Sequence, residues 1–147
     1  MTTARFEGGR EMEAQLQRLA TGTARGAGRR ALRKAAMPLA EMMQGLAPVL
    51  SGDLAESILV TSKLARSQAA GARQMFPNVR STVVLHVGPG TNPQAITQEF
   101  GTSFHEPQPF VRPAWDADHM DLLERLKQTL WEEITKTIAR AESRGTL

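Results

Sequence analysis

Hydrophobic positions at helical spacing mark the N-terminal third of the chain. Apolar residues recur every three or four positions from Met12 to Leu19, and again from Leu32 to Leu46. Three glycines lie between the two runs, and each costs about 1 kcal/mol of helix stability relative to alanine. The spacing therefore predicts a long helix, or a broken pair of helices, over residues 11–46. Pro38 predicts a kink or a later start for the second part.

A second strong helical pattern lies near the C-terminal end. Pro113 suits the first turn of a helix, and Gly145 suits its end. Three aspartates after Pro113 are expected to complement the positive end of the helix dipole; they are Asp116, Asp118 and Asp121. The apolar stripe of this helix consists of Leu123, Leu126, Leu130, Ile134 and Ile138.

The segment between these helices reads as short strands, turns and short helices. Extended, β-branched runs predict strands at 58–62 and 82–87, and the second is closed by a Gly-Pro-Gly turn. Residues 63–81, rich in Ala, Ser, Gly and Arg, are expected to form a flexible loop between the strands.

Capping residues mark two short helices beside the strands. Pro48 ends the first long helix, and Ser51 suits the N-cap of a short helix that follows. A second short helix is predicted over 93–100, with Gly101 as a left-handed C-cap. Three prolines between residues 101 and 113 predict an extended loop, which Phe100, Phe104 and Phe110 are expected to anchor in the core.

The order of these elements predicts a single small α+β domain over residues 1–147, with residues 1–10 frayed. Its small, mostly antiparallel sheet is packed by a long N-terminal helix, kinked or broken, and by a long C-terminal helix. There is no cysteine, which excludes disulfides and thiolate sites. No apolar run approaches the roughly 20 residues that span a bilayer, and the N-terminal segment lacks a secretion-signal core. We therefore expect a cytoplasmic origin and no membrane contact.

Charge is unevenly distributed along the chain. The first 98 residues contain twelve basic and six acidic residues, whereas the last 49 contain six and nine. Such asymmetry is typical of nucleic-acid contact, or of basic and acidic faces that meet between copies. The candidate basic contacts are Arg29, Arg30, Arg33 and Lys34 in the first helical segment, and Lys63, Arg66, Arg73 and Arg80 in the predicted loop.

No pattern that carries catalysis or binds a cofactor is visible. His86, His105 and His119 lack the spacing of a zinc site, and no strand–Gly-x-Ser-x-Gly–helix motif supports a serine nucleophile. Aromatic residues make up 5% and tyrosine is absent, so base-stacking readout of nucleic acid is not indicated. Sequence-independent attraction to phosphates remains open.

Two stretches of sequence carry a family resemblance. One runs from Pro48 to Ile58 and contains Ser-Gly-Asp-Leu; the other combines "EFGT" at 99–102 with "PQPFVRPA" at 107–114. Together with Val87-Gly88 they resemble the "gene product ten" neck family of HK-type long-tailed phages, similar in role to the minor tail protein Z of lambda. The positions that carry the motif are Ser51, Gly52, Leu54, Glu99, Phe100, Gly101, Thr102, Pro109, Phe110, Arg112 and Pro113.

The resemblance implies a virion component rather than an enzyme. It would assemble as a ring, a hexamer, at the top of the tail. There it would contact a tail terminator or tail tube protein and the head-side stopper or adaptor proteins, with DNA passing through its lumen. Arg112 is expected to pair with Glu99, and the motif is expected mainly to define the fold.

Two hypotheses concern the basic residues. In the first, the basic face of one copy, with Arg29, Arg30 and Arg33, meets the acidic last helix of the next copy, and such head-to-tail contacts close into rings. In the second, the predicted loop from Lys63 to Arg80 reaches the DNA channel or a neighbouring ring. Two alternatives for the whole protein stay open, a tail terminator that caps the tail tube and a free basic DNA-binding protein.

Overall fold

Helices account for most of the structure. The computed structural model describes residues 8–49, 51–76 and 82–146. Its elements are α1 (Gly9–Gln17), α2 (Thr21–Leu46), α3 (Asp53–Glu56), β1 (Leu59–Thr61), α4 (Arg66–Met75), β2 (His86–Gly88), α5 (Pro93–Phe100) and α6 (Val111–Ser143). The predicted α+β class, with a small antiparallel sheet between two long helices, is confirmed.

The long helices α2 and α6 form an antiparallel pair. The side chain of Thr129 donates a hydrogen bond to the carbonyl of Ala31, and that of Arg125 donates to the carbonyl of Ala35. The two helices therefore run in opposite directions. The face of α2 at this contact is made of alanines, and Ala27, Ala31 and Ala35 are fully buried. Small side chains allow α6 side chains to reach the α2 backbone directly.

The sheet covers the C-terminal half of α2 and the start of α6. Strands β1 and β2 pair antiparallel, with Val60 opposite Val87. The main core lies between the sheet, α2 and the start of α6, and its largest fully buried side chains are Ile58 and Phe110. A second apolar cluster joins α1 to the far end of α6 and consists of Met12, Leu19, Ile134 and Ile138.

The break in the N-terminal helical region falls earlier than predicted. Residues Arg18–Ala20 separate α1 from α2, whereas the glycine-rich stretch is part of α2, and Pro38 lies inside that helix without ending it. Packing of α2 against α6 outweighs the low helix propensity of glycine. Residues 9 and 10 belong to α1, so the prediction of a frayed start is wrong for them; residues 1–7 lie outside the described part.

The region between the strands also differs from the prediction. A helix, α4, occupies ten residues of the segment expected to be a loop, and residues 77–81 lie outside the described ranges. The second strand begins only at His86, because only residues 86–88 pair with β1. The composition of 63–81 misled the prediction, since alanine, glutamine and arginine within it favour a helix.

The start of α6 differs in two respects. The helix begins at Val111, so Pro113 lies in its first turn as predicted, but the loop that was expected to reach Pro113 ends at Phe110. Its first turn carries no acidic residue. Asp118 is instead buried and forms two hydrogen bonds with Arg125, at 2.6 and 2.9 Å, so the dipole interpretation is wrong for this residue. Of the predicted apolar stripe, Ile134 and Ile138 are buried and the three leucines are partly buried.

Candidate assembly surfaces

The carboxylate of Glu99 joins the end of α5 to the start of α6. It accepts hydrogen bonds from the backbone N–H groups of Phe110, Val111 and Arg112, at 2.8 to 3.0 Å. The first N–H groups of a helix have no partner within the helix, and Glu99 supplies one. The expected pair with Arg112 is present: its Nε donates to the same carboxylate at 2.9 Å.

The charge of Glu99 is stabilised in this position. Burial raises the pKa of a carboxyl group, but the N–H groups of Val111, Phe110 and Arg112, with the Arg112 side chain, outweigh burial, and the pKa of Glu99 is lowered. The second Arg112 nitrogen, Nη2, donates to the Glu99 carbonyl at 2.8 Å. The motif thus fixes the angle between two helices.

Gly101 ends α5 in a conformation that other residues rarely adopt. Its φ is 73° and its ψ is −178°, which is positive φ but not the left-handed helical cap that the sequence predicted. A Cβ at this position would lie 2.8 Å from the carbonyl oxygen of His105 and the nitrogen of Pro107. The chain therefore requires glycine where it folds back on itself.

The three phenylalanines of this region behave differently. Phe110 is fully buried, as expected, but Phe100 is 64% and Phe104 is 99% exposed. The prediction that all three anchor the loop in the core is therefore wrong for two of them. The guanidinium of Arg112 lies 4.8 Å from the ring centre of Phe100, and Phe104 stands at the tip of a tight turn closed by hydrogen bonds between Thr102 and His105.

The other motif positions have structural surroundings of their own. Gly52, with φ of 87°, is the N-cap residue of α3, and the hydroxyl of Ser51 accepts a hydrogen bond from the N–H of Asp53 at 3.4 Å. The expected N-cap is thus displaced by one residue. Leu54 is buried in the main core, whereas Pro109 is exposed in the loop and Pro113 is partly buried in the first turn of α6.

Two of the candidate basic contacts form ion pairs within the chain. Arg30 and Lys34, one turn apart on α2, bind the carboxylate of Glu133 on α6 at 2.8 and 2.5 Å. The hydrogen bond from Arg30 and that from Lys34 lower the pKa of Glu133 to about 2, against the effect of burial. Sequence reasoning missed Glu133, whose only signal is its position opposite two cations in an antiparallel helix pair.

The remaining cations divide between a cleft and the open surface. A cleft of about 330 Å³ between α2, α4 and the segment before β2 is lined by the cationic residues Arg25, Arg29, Lys63 and Arg73, with Phe76, Val83, Val84 and others. We call these four cations and their apolar neighbours the basic cleft. Arg33 and Arg66 are exposed and do not line it, and Arg80 lies outside the described residues.

The exposed side of α6 carries the opposite charge. Asp116, Asp121, Glu124 and Glu132 are all exposed there, and none of the ion pairs in the described ranges involves them. Two exposed apolar side chains, Met120 and Trp131, lie next to these acids along the helix. We call this surface the acidic face of α6.

The histidines do not converge on a reactive centre. His119 contacts the carbonyl of Trp115 at 2.9 Å and stacks on its ring, and His105 contacts the side chain of Gln98 at 3.1 Å. Among residues whose positions are described, no group of three His, Asp or Glu side chains could hold a metal ion. Within the same ranges, no helix combines the length and apolarity that a membrane crossing requires.

Comparison with known families identifies one that the chain matches. Residues 10–101 match the family described as "Bacteriophage HK97-gp10, putative tail-component". The match runs from the second residue of α1 to Gly101, just after α5, and no curated protein or solved structure matches the chain. Because the match covers more than half of the chain, the protein belongs to the HK97-gp10-like family of phage tail components.

Proposed function

We propose that this protein is a tail-completion protein of the head–tail neck. In this role it forms a ring, a hexamer, that joins the tail to the head and lets DNA pass through its lumen. The observation that carries the proposal is the family match over residues 10–101, since the family consists of tail components. The protein acts as a scaffold in the virion, without catalysis or a cofactor, after synthesis in the host cytoplasm.

The surface supports a role in assembly. Large apolar side chains are exposed at separate places in the described structure, including Ile96 and Phe100 one turn apart on α5, and Phe104 at the tip of the following turn. Such residues mark protein–protein contacts when they share a surface. We propose that the partners are other copies of the chain, a tail terminator or tail tube protein, and the head-side stopper or adaptor proteins.

Deletion of the gene from the phage genome or particle locus tests this function. We expect filled heads and separate tails of normal length, visible by negative-stain electron microscopy. Supplying the wild-type gene in trans should restore joined particles. Joined particles in the deletion strain would overturn the proposal. A tail terminator, the closest alternative, predicts tails of uncontrolled length in the same images.

The alternative of a free DNA-binding protein draws on the basic cleft. It predicts that the isolated chain binds DNA of any sequence with an affinity that falls steeply with salt. Fluorescence anisotropy with a labelled duplex at several salt concentrations measures this directly. Virion incorporation without such binding favours the neck protein.

A further inference from the structure

We infer that the basic cleft of one copy binds the acidic face of α6 of the neighbouring copy in the ring. The inference rests on the proposed ring, and it specifies the surfaces that close it. A contact between two different surfaces of the same chain is heterologous, and such contacts generate rings when the rotation closes.

The cleft is built to receive negative charge. Among the described residues that line it, Arg25, Arg29, Lys63 and Arg73 are cationic and none is acidic. Arg29, Lys63 and Arg73 take part in none of the ion pairs found in the described part of the chain. Like charges gathered around one concavity raise the local potential, which an anionic partner offsets.

The same chain offers that partner on its longest helix. Four exposed carboxylates, from Asp116 to Glu132, extend over 16 residues of α6, or about 24 Å along the helix axis. This distance suits a contact with a cleft and its rim. The acids of α6 that lie on the inner side, Asp118 and Glu133, already bind Arg125, Arg30 and Lys34 within the copy. The internal and external charge pairs therefore use separate sets of residues.

Apolar side chains accompany the charges on both surfaces. Phe76, Val83 and Val84 line the cleft, while Met120 lies one turn from both Asp116 and Glu124 on the acidic face and is 55% exposed. Interfaces between proteins combine an apolar centre with a polar rim. This combination favours a protein segment over the phosphate backbone of DNA as the occupant of the cleft.

Helix α4, which forms one wall of the cleft, is poorly packed in the isolated chain. It has no buried residue, and Met75 and Phe76 at its end are exposed. A helix of ten residues is marginal in water without tertiary packing. A neighbouring copy seated in the cleft would supply packing that the chain itself does not provide.

Charge reversal in full-length protein tests this contact. The cleft variant carries Arg29→Glu and Arg73→Glu, and the acidic-face variant carries Asp116→Arg and Glu124→Arg. A third variant combines all four substitutions. The matched control carries Arg33→Glu and Arg66→Glu, which change one exposed cation on each of the same two helices outside the cleft. Circular dichroism verifies that each variant folds.

The readout is the number of copies incorporated per particle, measured by quantitative mass spectrometry of purified particles from complemented deletion strains. For the cleft variant and for the acidic-face variant, we expect the number of copies per particle to fall at least roughly tenfold, because like charges then face each other across the contact. The four-substitution variant should regain most of the loss, and the control should match wild type. Mixed expression of the first two variants should also restore incorporation, because alternating copies pair opposite charges.

Failure of this inference is distinct from failure of the proposed function. If wild-type protein is absent from particles, the proposed function fails. If wild-type protein is present and the cleft variant is incorporated equally well, only the contact is overturned. Loss in both variants without recovery in the four-substitution variant also overturns it, and reduced binding of a labelled DNA duplex by the cleft variant would then assign the cleft to DNA.

Discussion

At the scale of single residues, the junction between α5 and α6 depends on the side chain of one residue and on the backbone conformation of another. Glu99 provides one carboxylate for three backbone N–H groups and a guanidinium. Gly101 allows the chain to turn back within 2.8 Å of the backbone of His105. Both residues belong to the motif that suggested the family, and their surroundings show a structural reason for it.

Replacing Glu99 by glutamine tests the first position. The amide lacks the negative charge, and its NH2 group would face N–H groups that need an acceptor. We therefore expect the free energy of unfolding to fall by about 2 kcal/mol. Urea denaturation followed by circular dichroism measures the loss. Glu106→Gln, in the exposed loop nearby, is the matched control and should have little effect. Equal stability of the two variants would contradict the capping role.

Replacing Gly101 by alanine tests the second position. The added Cβ meets backbone atoms at 2.8 Å in a conformation that favours glycine, so we expect a loss of about 2–3 kcal/mol. Gly45→Ala is the control, because its Cβ would meet nothing within 4 Å on α2, and it should be neutral or stabilising. Thermal melting compares the two variants, and equal melting temperatures would contradict the requirement for glycine at position 101.

At the scale of elements, α2 and α6 are joined by a buried carboxylate as well as by close packing. Glu133 is buried between Arg30 and Lys34, which are about half exposed. Two cations one turn apart on one helix can both reach a single acid on an antiparallel partner. The ion triplet therefore fixes the register of the pair.

The triplet predicts a specific dependence of stability on pH. The pKa of Glu133 is about 2 in the folded chain, against an ordinary value of 4.5. Because the folded pKa is the lower one, its contribution is complete above about pH 5 and is lost as the pH falls toward 2. Urea unfolding from pH 7 to pH 2 should show a shallower decline for Glu133→Gln than for wild type.

The same substitution should lower stability at pH 7 by about 2 kcal/mol, a value reduced for the solvent exposure of the two cations. Glu132→Gln, an exposed neighbour on α6, is the control and should retain the wild-type profile. A profile of Glu133→Gln that parallels wild type at low pH would show that the triplet does not control acid stability.

Helix α4 predicts uneven local stability. It has no buried residue, whereas α2 has seven. We expect the amide protons of α4 to exchange at least about a hundredfold faster than those of Ala27 and Ala31 in α2, because few packed contacts oppose local opening. Hydrogen exchange measured by mass spectrometry resolves the two segments. Equal protection would contradict the description of α4 as an unpacked helix.

The sequence predicted elements best where one physical signal dominated. Apolar spacing identified α6, and the proline-to-glycine frame identified α5. The capping of α6 was missed because Glu99 is distant in sequence. Helix α4 was missed because its amphipathic pattern has no core to face. The motif allowed the Glu99–Arg112 pair to be predicted from the sequence. The basic cleft could not be predicted, because Arg29, Lys63 and Arg73 come together only in the folded chain.

At the scale of the whole molecule, one domain is expected from end to end of the described chain. The two apolar clusters lie toward opposite ends of the α2–α6 pair, and the two helices continue through both. We predict a single cooperative unfolding transition. Fluorescence of Trp115 and Trp131, both on α6, should change together with the far-ultraviolet circular dichroism signal. Separate transitions would indicate two folding units.

The length of α6 has a mechanical consequence. Its 33 residues make a rod about 50 Å long, clamped by Glu99 at one end and by the α1 cluster near the other. A tilt of about 5° imposed at the first end displaces the far end by about 4 Å, if the rod stays straight. A change of angle at the Glu99 junction would therefore move the α1 end of the helix much further than it moves Phe110.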